Sequence, residues 1–301
     1  MDKDITVVFG VGLDAVAGWL GGPGCGPATM ADIQRGLYAG EVGVPRLLKL
    51  FERNGVTGTW FMPGHSLETF PDQCRMVVDQ GHEVAVHGYS HETPAALTPV
   101  QEDAVLARSV ELVAHLTGQA PRGYAAPGHE PSPYTADLLA NYGFEYDHSQ
   151  QHRDFVPYYA RTDESWASVD YSAHPAGWMV PLRRGRELNL VEVGVNWYLD
   201  DLPPMLYAKG YGGRLGFVSP RVVEDMWKQQ FEWVYRELDY AVFPLTIHPS
   251  VAGRPQCLMM LSRLIAYLKT FDGVRFGTMA EVAKAFRTRF PFDQPDRPHG
   301  V

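Results

Sequence analysis

The chain has 301 residues, of which 45% are apolar and 20% are charged, and its formal net charge is -9. This composition is typical of a folded globular protein and excludes extensive disorder. The acidic balance argues against nucleic acid and anionic membrane surfaces as partners. No apolar run approaches the roughly 18 residues that a membrane-spanning helix needs.

The cysteines and the N-terminus indicate the compartment. Cys25, Cys74 and Cys257 are too few and too far apart for a disulfide framework or a four-thiolate zinc site, so we expect reduced thiols. The N-terminus runs directly into a strand-like segment without a signal-peptide pattern. We therefore expect a cytoplasmic protein, with a mature secreted form, already trimmed, as the alternative.

Hydrophobic patterns and turn residues predict strands and helices that alternate along the chain. A Gly-rich loop is predicted at 21–27, an irregular stretch at 148–188 and a frayed tail at 291–301. In chain order, we predict strand 5–9, helix 45–54, strand 57–62, helix 71–80, strand 83–86, helix 98–117, strand 123–126, helix 134–142, strand 190–196, helix 219–238, strand 241–247, helix 256–270, strand 274–276 and helix 279–287.

This alternation predicts an α/β fold built from parallel βα units. No linker or change in composition divides the chain, so we expect one barrel-type domain over residues 1–301. In such folds, catalytic residues lie at the C-terminal ends of strands. That rule directs attention to polar residues that follow predicted strands.

Histidines and one aspartate occupy such positions. Asp14 follows the first predicted strand, His87 and His91 follow the third, and His248 ends a late strand. Two histidines four residues apart, if placed on one helical turn, face the same way and reach one metal ion, although 11 histidines make chance pairs common. One carboxylate and two imidazoles form a usual set for a divalent metal with open positions. His248 has the chemistry of a proton donor, with a hydrogen-bonded core histidine as the alternative.

The segments GVGLDAVAGWL, GHEVAVHGYSHE, NWYLDDLPPM and TIHP together resemble the polysaccharide deacetylases of the NodB-homology type. The resemblance covers about residues 5–288 and is strongest to a subgroup of peptidoglycan deacetylase-like proteins and cyclic imide hydrolases. It implies a distorted (β/α) barrel with fewer than eight βα units. It also implies a divalent metal, usually Zn²⁺, on Asp14, His87 and His91, a general acid at His248, and a homo-oligomer (dimer or tetramer).

The sequence departs from this family at the position of the general base. The family's first motif carries two aspartates that flank one residue, and Gly12 stands where the first is expected. A general base typically contributes roughly 10²–10⁴-fold in rate. His129, at a position where the subgroup has an aromatic residue, is a candidate for a relocated base, against simple drift in a loop. Glu130 is a second candidate for a catalytic role, against an exposed loop carboxylate.

Other residues are candidates for substrate binding. Trp19, Trp197 and Tyr198 either line the pocket or pack in the core. Of the adjacent acids Asp200 and Asp201, we expect one to orient a site residue and the other to be solvated. Asp201 is included among the candidate substrate-binding residues.

Three functions follow from these residues. The first is a metal-dependent hydrolase of non-peptide C–N bonds, either an N-deacetylase of amino sugars or a hydrolase of cyclic amides and imides, acting on a small-molecule or amino-sugar substrate. The second is a metal enzyme of another class, such as a lyase, isomerase or biosynthetic tailoring enzyme. The third is a non-catalytic metal- or ligand-binding pseudoenzyme. If the missing carboxylate is the only defect, Gly12→Asp should raise hydrolase activity.

Overall fold

The computed structural model describes residues 3–20, 27–207, 216 and 218–294. Cys25, most of the predicted loop at 21–27 and the end of the predicted frayed tail lie outside these residues. Cys74 and Cys257 are buried free thiols, as expected. Within the described part of the chain, no helix combines the length and apolar character that crossing a membrane requires.

Nine strands in the described residues form one sheet, in the order β6-β7-β5-β4-β3-β2-β1-β8, with β9 paired to β1. All pairs are parallel except β6 with β7. The sheet curls into an incomplete barrel, which confirms the predicted distorted (β/α) barrel. The strands are β1 (Asp4–Gly12), β2 (Thr59–Met62), β3 (Glu83–Val86), β4 (Gly123–Tyr124), β5 (Tyr146–Asp147), β6 (Tyr158–Thr162), β7 (Arg186–Glu192), β8 (Tyr240–Ile247) and β9 (Val274–Gly277).

The α-helices follow the strands and cover the outside of the sheet. They are α1 (Met30–Tyr38), α2 (Val44–Asn54), α3 (Gly64–Thr69), α4 (Pro71–Asp79), α5 (Pro99–Thr117), α6 (Thr135–Asn141), α7 (Leu202–Met205), α8 (Pro220–Glu237), α9 (Pro249–Ala252), α10 (Pro255–Leu268) and α11 (Met279–Arg289). A π-helical turn, Ala39–Gly43, joins α1 to α2. Helices α1, α3, α7 and α9 were not predicted from the sequence.

Successive side chains of β1 face opposite sides of the sheet. Val7, Phe9 and Val11 pack in the main hydrophobic core beneath the helices. Val8 belongs to a second apolar cluster that fills the barrel interior. Because side chains in a strand alternate with period two, Gly10 and Gly12 share the inner face with Val8.

Sequence and structure differ most between residues 123 and 196. The predicted irregular stretch 148–188 contains β6, and the predicted strand 190–196 lies four residues earlier, as β7. The short strand β5 was also missed. β6 pairs antiparallel with β7 across a bulge, so its conformation depends on a distant partner rather than on a local pattern.

Candidate metal centre and active site

Asp14 lies two residues beyond β1, at the C-terminal end of the strand. Its carboxylate is half-buried, and the Oδ1 atom is buried without a hydrogen-bond partner among the described residues. Ser66 donates its hydroxyl hydrogen to the Asp14 backbone carbonyl at 3.0 Å, which ties this turn to α3. A buried carboxylate oxygen that lacks a partner needs a cation or a water to compensate its desolvation.

His87 and His91 lie on the loop that follows β3. The expectation of a helical turn between them is wrong: Gly88 and His91 both have positive φ, at 66° and 60°. The Glu92 carboxylate accepts the backbone N–H groups of Tyr89 at 2.8 Å and Ser90 at 2.6 Å. These bonds fold the loop back so that the two imidazole rings meet edge to face at 5.1 Å between centroids.

The two histidines converge on Asp14. His87 Nε2 lies 3.6 Å from Asp14 Oδ1, and His91 Nε2 lies 3.7 Å from Asp14 Oδ2. One ligand atom from each of the three residues falls within 4.8 Å of the other two. Two atoms that each bind one zinc ion at about 2.1 Å, at a tetrahedral angle, stand roughly 3.4 Å apart. The observed spacing is too long for hydrogen bonds and suits three ligands of one ion.

The protonation of these groups also suits a metal. Burial lowers the pKa of His87 to about 3, so its ring is neutral at physiological pH. The Ala125 carbonyl accepts a hydrogen bond from His87 Nδ1 at 2.7 Å, which leaves the Nε2 lone pair directed toward Asp14. Burial opposes ionisation of Asp14, but His91, His248 and His87 outweigh it and lower its pKa.

His248 faces the same carboxylate from the end of β8. Its Nε2 atom lies 3.7 Å from Asp14 Oδ2, and its Nδ1 atom lies 2.8 Å from Asp201 Oδ1. Asp201 Oδ2 also accepts the backbone N–H of His248 at 3.0 Å. Asp201 is almost fully buried. Because both of its oxygens contact His248, the structure places Asp201 behind this ring as a positioning residue and not on the side where substrate would bind.

The carboxylates around His248 favour its protonated form. Burial opposes the charge, but Asp200, Asp201 and Asp14 together outweigh it and raise the pKa of His248 to about 10. In the metal-free chain, His248 therefore carries a proton at neutral pH, directed toward Asp14.

The space beside Gly12 is occupied. A Cβ atom on Gly12 would lie 2.6 Å from His248 Cδ2, 2.8 Å from His248 Nε2 and 3.1 Å from Asp14 Oδ1. The first two distances are shorter than real Cβ atoms show. The His248 ring therefore fills the room that a side chain at position 12 would need.

Asp200 is buried, so the expectation that one acid of the pair is solvated is wrong. Its Oδ1 accepts the Leu202 backbone N–H at 2.7 Å, and its Oδ2 lies 3.7 Å from His129 Nε2. His129 packs edge to face on Trp197, with 5.0 Å between centroids, and its Nδ1 is buried without a hydrogen-bond partner among the described residues. His129 and Trp197 thus belong to the wall beside Asp200.

The remaining candidates lie farther out. The side chains of Glu130 and Tyr198 are exposed, and the Glu130 carboxylate has no hydrogen bond or ion pair with the described residues, as expected for a loop carboxylate. Trp19 stacks against Arg35, with the guanidinium 5.3 Å from the ring, and both residues line one cavity.

Sequence reasoning missed a group of buried residues behind the centre. Ser149 accepts the Ala126 backbone N–H at 2.8 Å and donates its hydroxyl hydrogen to Asp147, while Glu192 accepts the Ser149 backbone N–H at 3.0 Å. Burial raises the pKa of both acids, that of Asp147 to about 6. This network holds the chain next to Ala125, whose carbonyl orients His87. A glutamate within an otherwise apolar predicted strand was the available signal.

His148, also missed, lies at the end of β5. The Val193 carbonyl accepts a hydrogen bond from His148 Nδ1 at 2.5 Å, and the ring stacks on Phe61. Burial lowers its pKa to about 3, so Nε2 is an unprotonated, unpaired atom inside the barrel among the described residues.

Comparison with known proteins decides the family. Residues 36–146 match the family model described as polysaccharide deacetylase. The chain is 55% identical over 291 residues to a peptidoglycan deacetylase from Helicobacter pylori, covering 97% of this chain and 99% of that protein. The chain belongs to the polysaccharide deacetylase family.

Two further members extend this assignment. A peptidoglycan deacetylase-like protein from Gibberella zeae is 37% identical over 294 residues, covering 94% of this chain and 87% of that protein. The crystal structure of a protein from Mycobacterium smegmatis assigned to the polysaccharide deacetylases is 28% identical, with a TM-score of 0.78 and coverage of 96% of this chain and 92% of that chain. The deacetylase fold therefore extends over nearly the whole chain.

Proposed function

We propose that the protein is a metal-dependent hydrolase of non-peptide C–N bonds, and that an N-acetyl group is its preferred target. The observation that carries this proposal is the convergence of Asp14, His87 and His91, with their ligand atoms within 4.8 Å of one another, opposite a histidine held by Asp201. The similarity to peptidoglycan deacetylases supports the N-acetyl group over a cyclic imide.

Asp14, His87 and His91 would hold the divalent ion, and zinc suits this donor set. The ion supplies Lewis-acid activation of water and of the substrate carbonyl. The neutral ring of His87, oriented by Ala125, offers its Nε2 lone pair without loss of a proton. The Asp14 carboxylate, whose Oδ1 is buried, provides the compensating negative charge.

His248 is the residue that we propose for proton transfer. Its Nε2 lies 3.7 Å from Asp14 Oδ2, and Asp201 fixes the ring through Nδ1. A histidine in this position donates a proton to the leaving nitrogen as the C–N bond breaks. Because Gly12 offers no acceptor and His248 already carries the proton that it donates, the proton of the attacking water must pass to another group. His129 stays a candidate for the relocated base, but its Nε2 faces Asp200.

The experiment is acetate release. Zinc-loaded protein is incubated with N-acetylated amino sugars and peptidoglycan fragments, and in parallel with hydantoin and succinimide as cyclic ureide and imide. The proposal predicts acetate from the first set, lost after removal of the metal and after His248→Gln. Absence of product from every amide and imide, while stoichiometric metal stays bound, would contradict it.

The Gly12 position favours a second candidate, a metal- or ligand-binding pseudoenzyme. The His248 ring occupies the space that a base at this position would need. This candidate predicts that N-acetyl sugars bind in calorimetry with one site per chain, that Asp14→Ala abolishes this binding, and that no condition gives turnover. Product formation by the wild-type chain excludes it.

A further inference from the structure

A cavity of about 280 Å³ is lined in part by residues that follow Asp14, Asp201 and His248 closely in the chain. This volume is close to the lower end of the range for small-molecule sites, roughly 300–1,000 Å³. Its walls include two arginines and two aromatic rings, namely Arg35, Arg254, Trp19 and Tyr207, with Ser250 and Cys257 among the other lining residues. We call it the arginine cavity.

Several residues that line the arginine cavity follow the residues of the candidate active site closely in the sequence. Trp19 follows Asp14 by five residues, Tyr207 follows Asp201 by six, and Ser250 follows His248 by two. Burial raises the pKa of the Cys257 thiol to about 12, and Asp201 raises it further while Arg254 lowers it. Cys257 therefore lies within electrostatic reach of both the acid that orients His248 and the cavity arginine.

Aromatic rings hold both guanidinium groups in place. Arg254 lies 3.5 Å from the centroid of the Tyr38 ring, and Arg35 lies 5.3 Å from Trp19 and 5.6 Å from Tyr207. A stacked guanidinium keeps its N–H groups free in the plane, where they match the two oxygens of a carboxylate.

Each arginine uses only some of its N–H donors in hydrogen bonds to the described residues. Arg35 donates to the Tyr207 carbonyl at 2.9 Å, and Arg254 donates through Nε to the Ser250 carbonyl at 3.2 Å. Neither forms an ion pair with any residue that the structure describes. Arg35 lies within electrostatic reach of Asp32. In a chain of net charge -9, two arginines that form no ion pair among the described residues nevertheless make the cavity locally positive.

We propose that the arginine cavity binds an anionic group on the substrate, a carboxylate, and that the protein therefore selects acidic amides over neutral ones. This inference rests on the proposed function, because it treats the cavity as an extension of the same substrate site. The substrate class is an N-acyl compound, such as an amino sugar, with a carboxylate a few bonds from the C–N bond.

The test compares ligands that differ by the anionic group. N-acetylglucosamine, N-acetylmuramic acid (the same sugar with a lactyl carboxylate) and N-acetylglucosamine 6-phosphate are titrated into zinc-loaded protein by calorimetry. We expect N-acetylmuramic acid to bind more tightly than the neutral sugar. Its advantage should fall as salt concentration rises, because salt screens the attraction. Equal affinity for the two sugars would overturn the inference, and a preference for the phosphate alone would overturn the choice of a carboxylate.

The variants Arg35→Gln and Arg254→Gln test the arginines directly. The readout is the ratio of the two dissociation constants, neutral over acidic sugar, which should fall roughly tenfold or more in each variant. Arg254→Lys keeps the charge without the planar fork and should retain part of the ratio. Arg46→Gln is the matched control: Arg46 donates to the Tyr38 hydroxyl at 3.1 Å but does not line the cavity, so the ratio should persist.

The outcomes separate this inference from the proposed function. Arg254-dependent binding of the acidic sugar without hydrolysis of any amide supports the cavity and defeats the hydrolase proposal. Hydrolysis of neutral and acidic sugars alike, with no change of the ratio in the variants, supports the hydrolase and overturns the cavity. Circular dichroism and thermal unfolding of each variant exclude misfolding as the cause of a change.

Discussion

At the scale of single residues, Gly12 stands where the family resemblance predicts an aspartate, and the structure shows what lies beside it. The His248 ring fills the space next to the glycine and points Nε2 at Asp14. Gly12 is thus the residue that permits the position of His248. The Gly12→Asp rescue that the sequence suggests requires that ring to move.

The first prediction follows from this packing. Gly12→Ala places a methyl group where His248 lies and should lower kcat/KM by about 10² or more, because the proton donor is displaced. Gly12→Asp meets the same obstacle and should lower activity as well. Steady-state kinetics with the best acetylated substrate test both variants. A rise in activity with Gly12→Asp would mean that only a carboxylate was missing.

The second prediction concerns the His248–Asp201 pair in metal-free protein. Because the pKa of folded His248 is about 10, above its unfolded value of roughly 6.5, its contribution to stability is full below pH 6.5. It is lost as the pH rises through about 10. Asp201→Asn removes one of the charges that raise this pKa and should flatten the decline.

Two measurements test the interaction between His248 and Asp201. Urea unfolding of metal-free wild type and Asp201→Asn from pH 6 to 10 gives the difference in stability, and NMR of the histidine ring gives the pKa directly. An unchanged His248 pKa in Asp201→Asn would contradict the assignment of Asp201 as its positioning residue.

At the scale of elements, the loop after β3 does most to shape the site. Gly88 has a φ of 66°, and a Cβ there would lie 2.7 Å from the Glu92 carboxylate that holds the loop. We predict that Gly88→Ala weakens zinc affinity by about tenfold or more, in the range for contacts that orient metal ligands.

Gly118→Ala is the matched control for the loop. Gly118 ends α5 with a φ of 75° and has no atom within 4 Å of an added Cβ. The Gly118→Ala substitution should lower the free energy of unfolding by about 1–2 kcal/mol through backbone strain and leave zinc affinity unchanged. Equal zinc affinities for the two variants would show that the loop conformation does not position His91.

Elements with local signals were predictable from the sequence. β3 was predicted with its observed bounds. α5 matches the predicted helix 98–117 to within one residue, because Thr98 and Gln101 form a capping box at its start and Gly118 caps its end. β4 is shorter than predicted because the chain leaves the ladder after Tyr124, where the Ala125 carbonyl turns to His87. β6 depends on pairing with β7, which no local pattern encodes.

The site was predictable in its members but not in its geometry. Strand-end positions selected Asp14, His87, His91 and His248, because parallel strands bring their C-terminal ends together. The left-handed conformation of the loop, the burial of Asp200 and the contact of His248 with Gly12 arise from packing between distant segments. Spacing along the chain carries no information about such contacts.

At the scale of the whole molecule, we expect metal binding at the site to raise the stability of the folded chain. The three ligands come from two loops, after β1 and after β3, and these strands flank β2 in the sheet. An ion that binds only the folded chain therefore stabilises the whole fold. At a free zinc concentration 100 times the dissociation constant, the gain is about 2.7 kcal/mol. Thermal unfolding with and without zinc should show this increase in wild type and not in Asp14→Asn. Homo-oligomer formation stays a prediction, which light scattering in solution tests.

The most direct test of the central claim is the metal content of purified protein at equilibrium with buffered zinc, measured by elemental analysis. The account predicts one ion per chain in wild type and in His248→Gln. Asp14→Asn, His87→Asn and His91→Asn should each lose affinity by more than about 100-fold, above the range for contacts outside the ligand set. A wild-type chain that takes up no ion, or an Asp14→Asn variant that binds zinc as tightly as wild type, would contradict it.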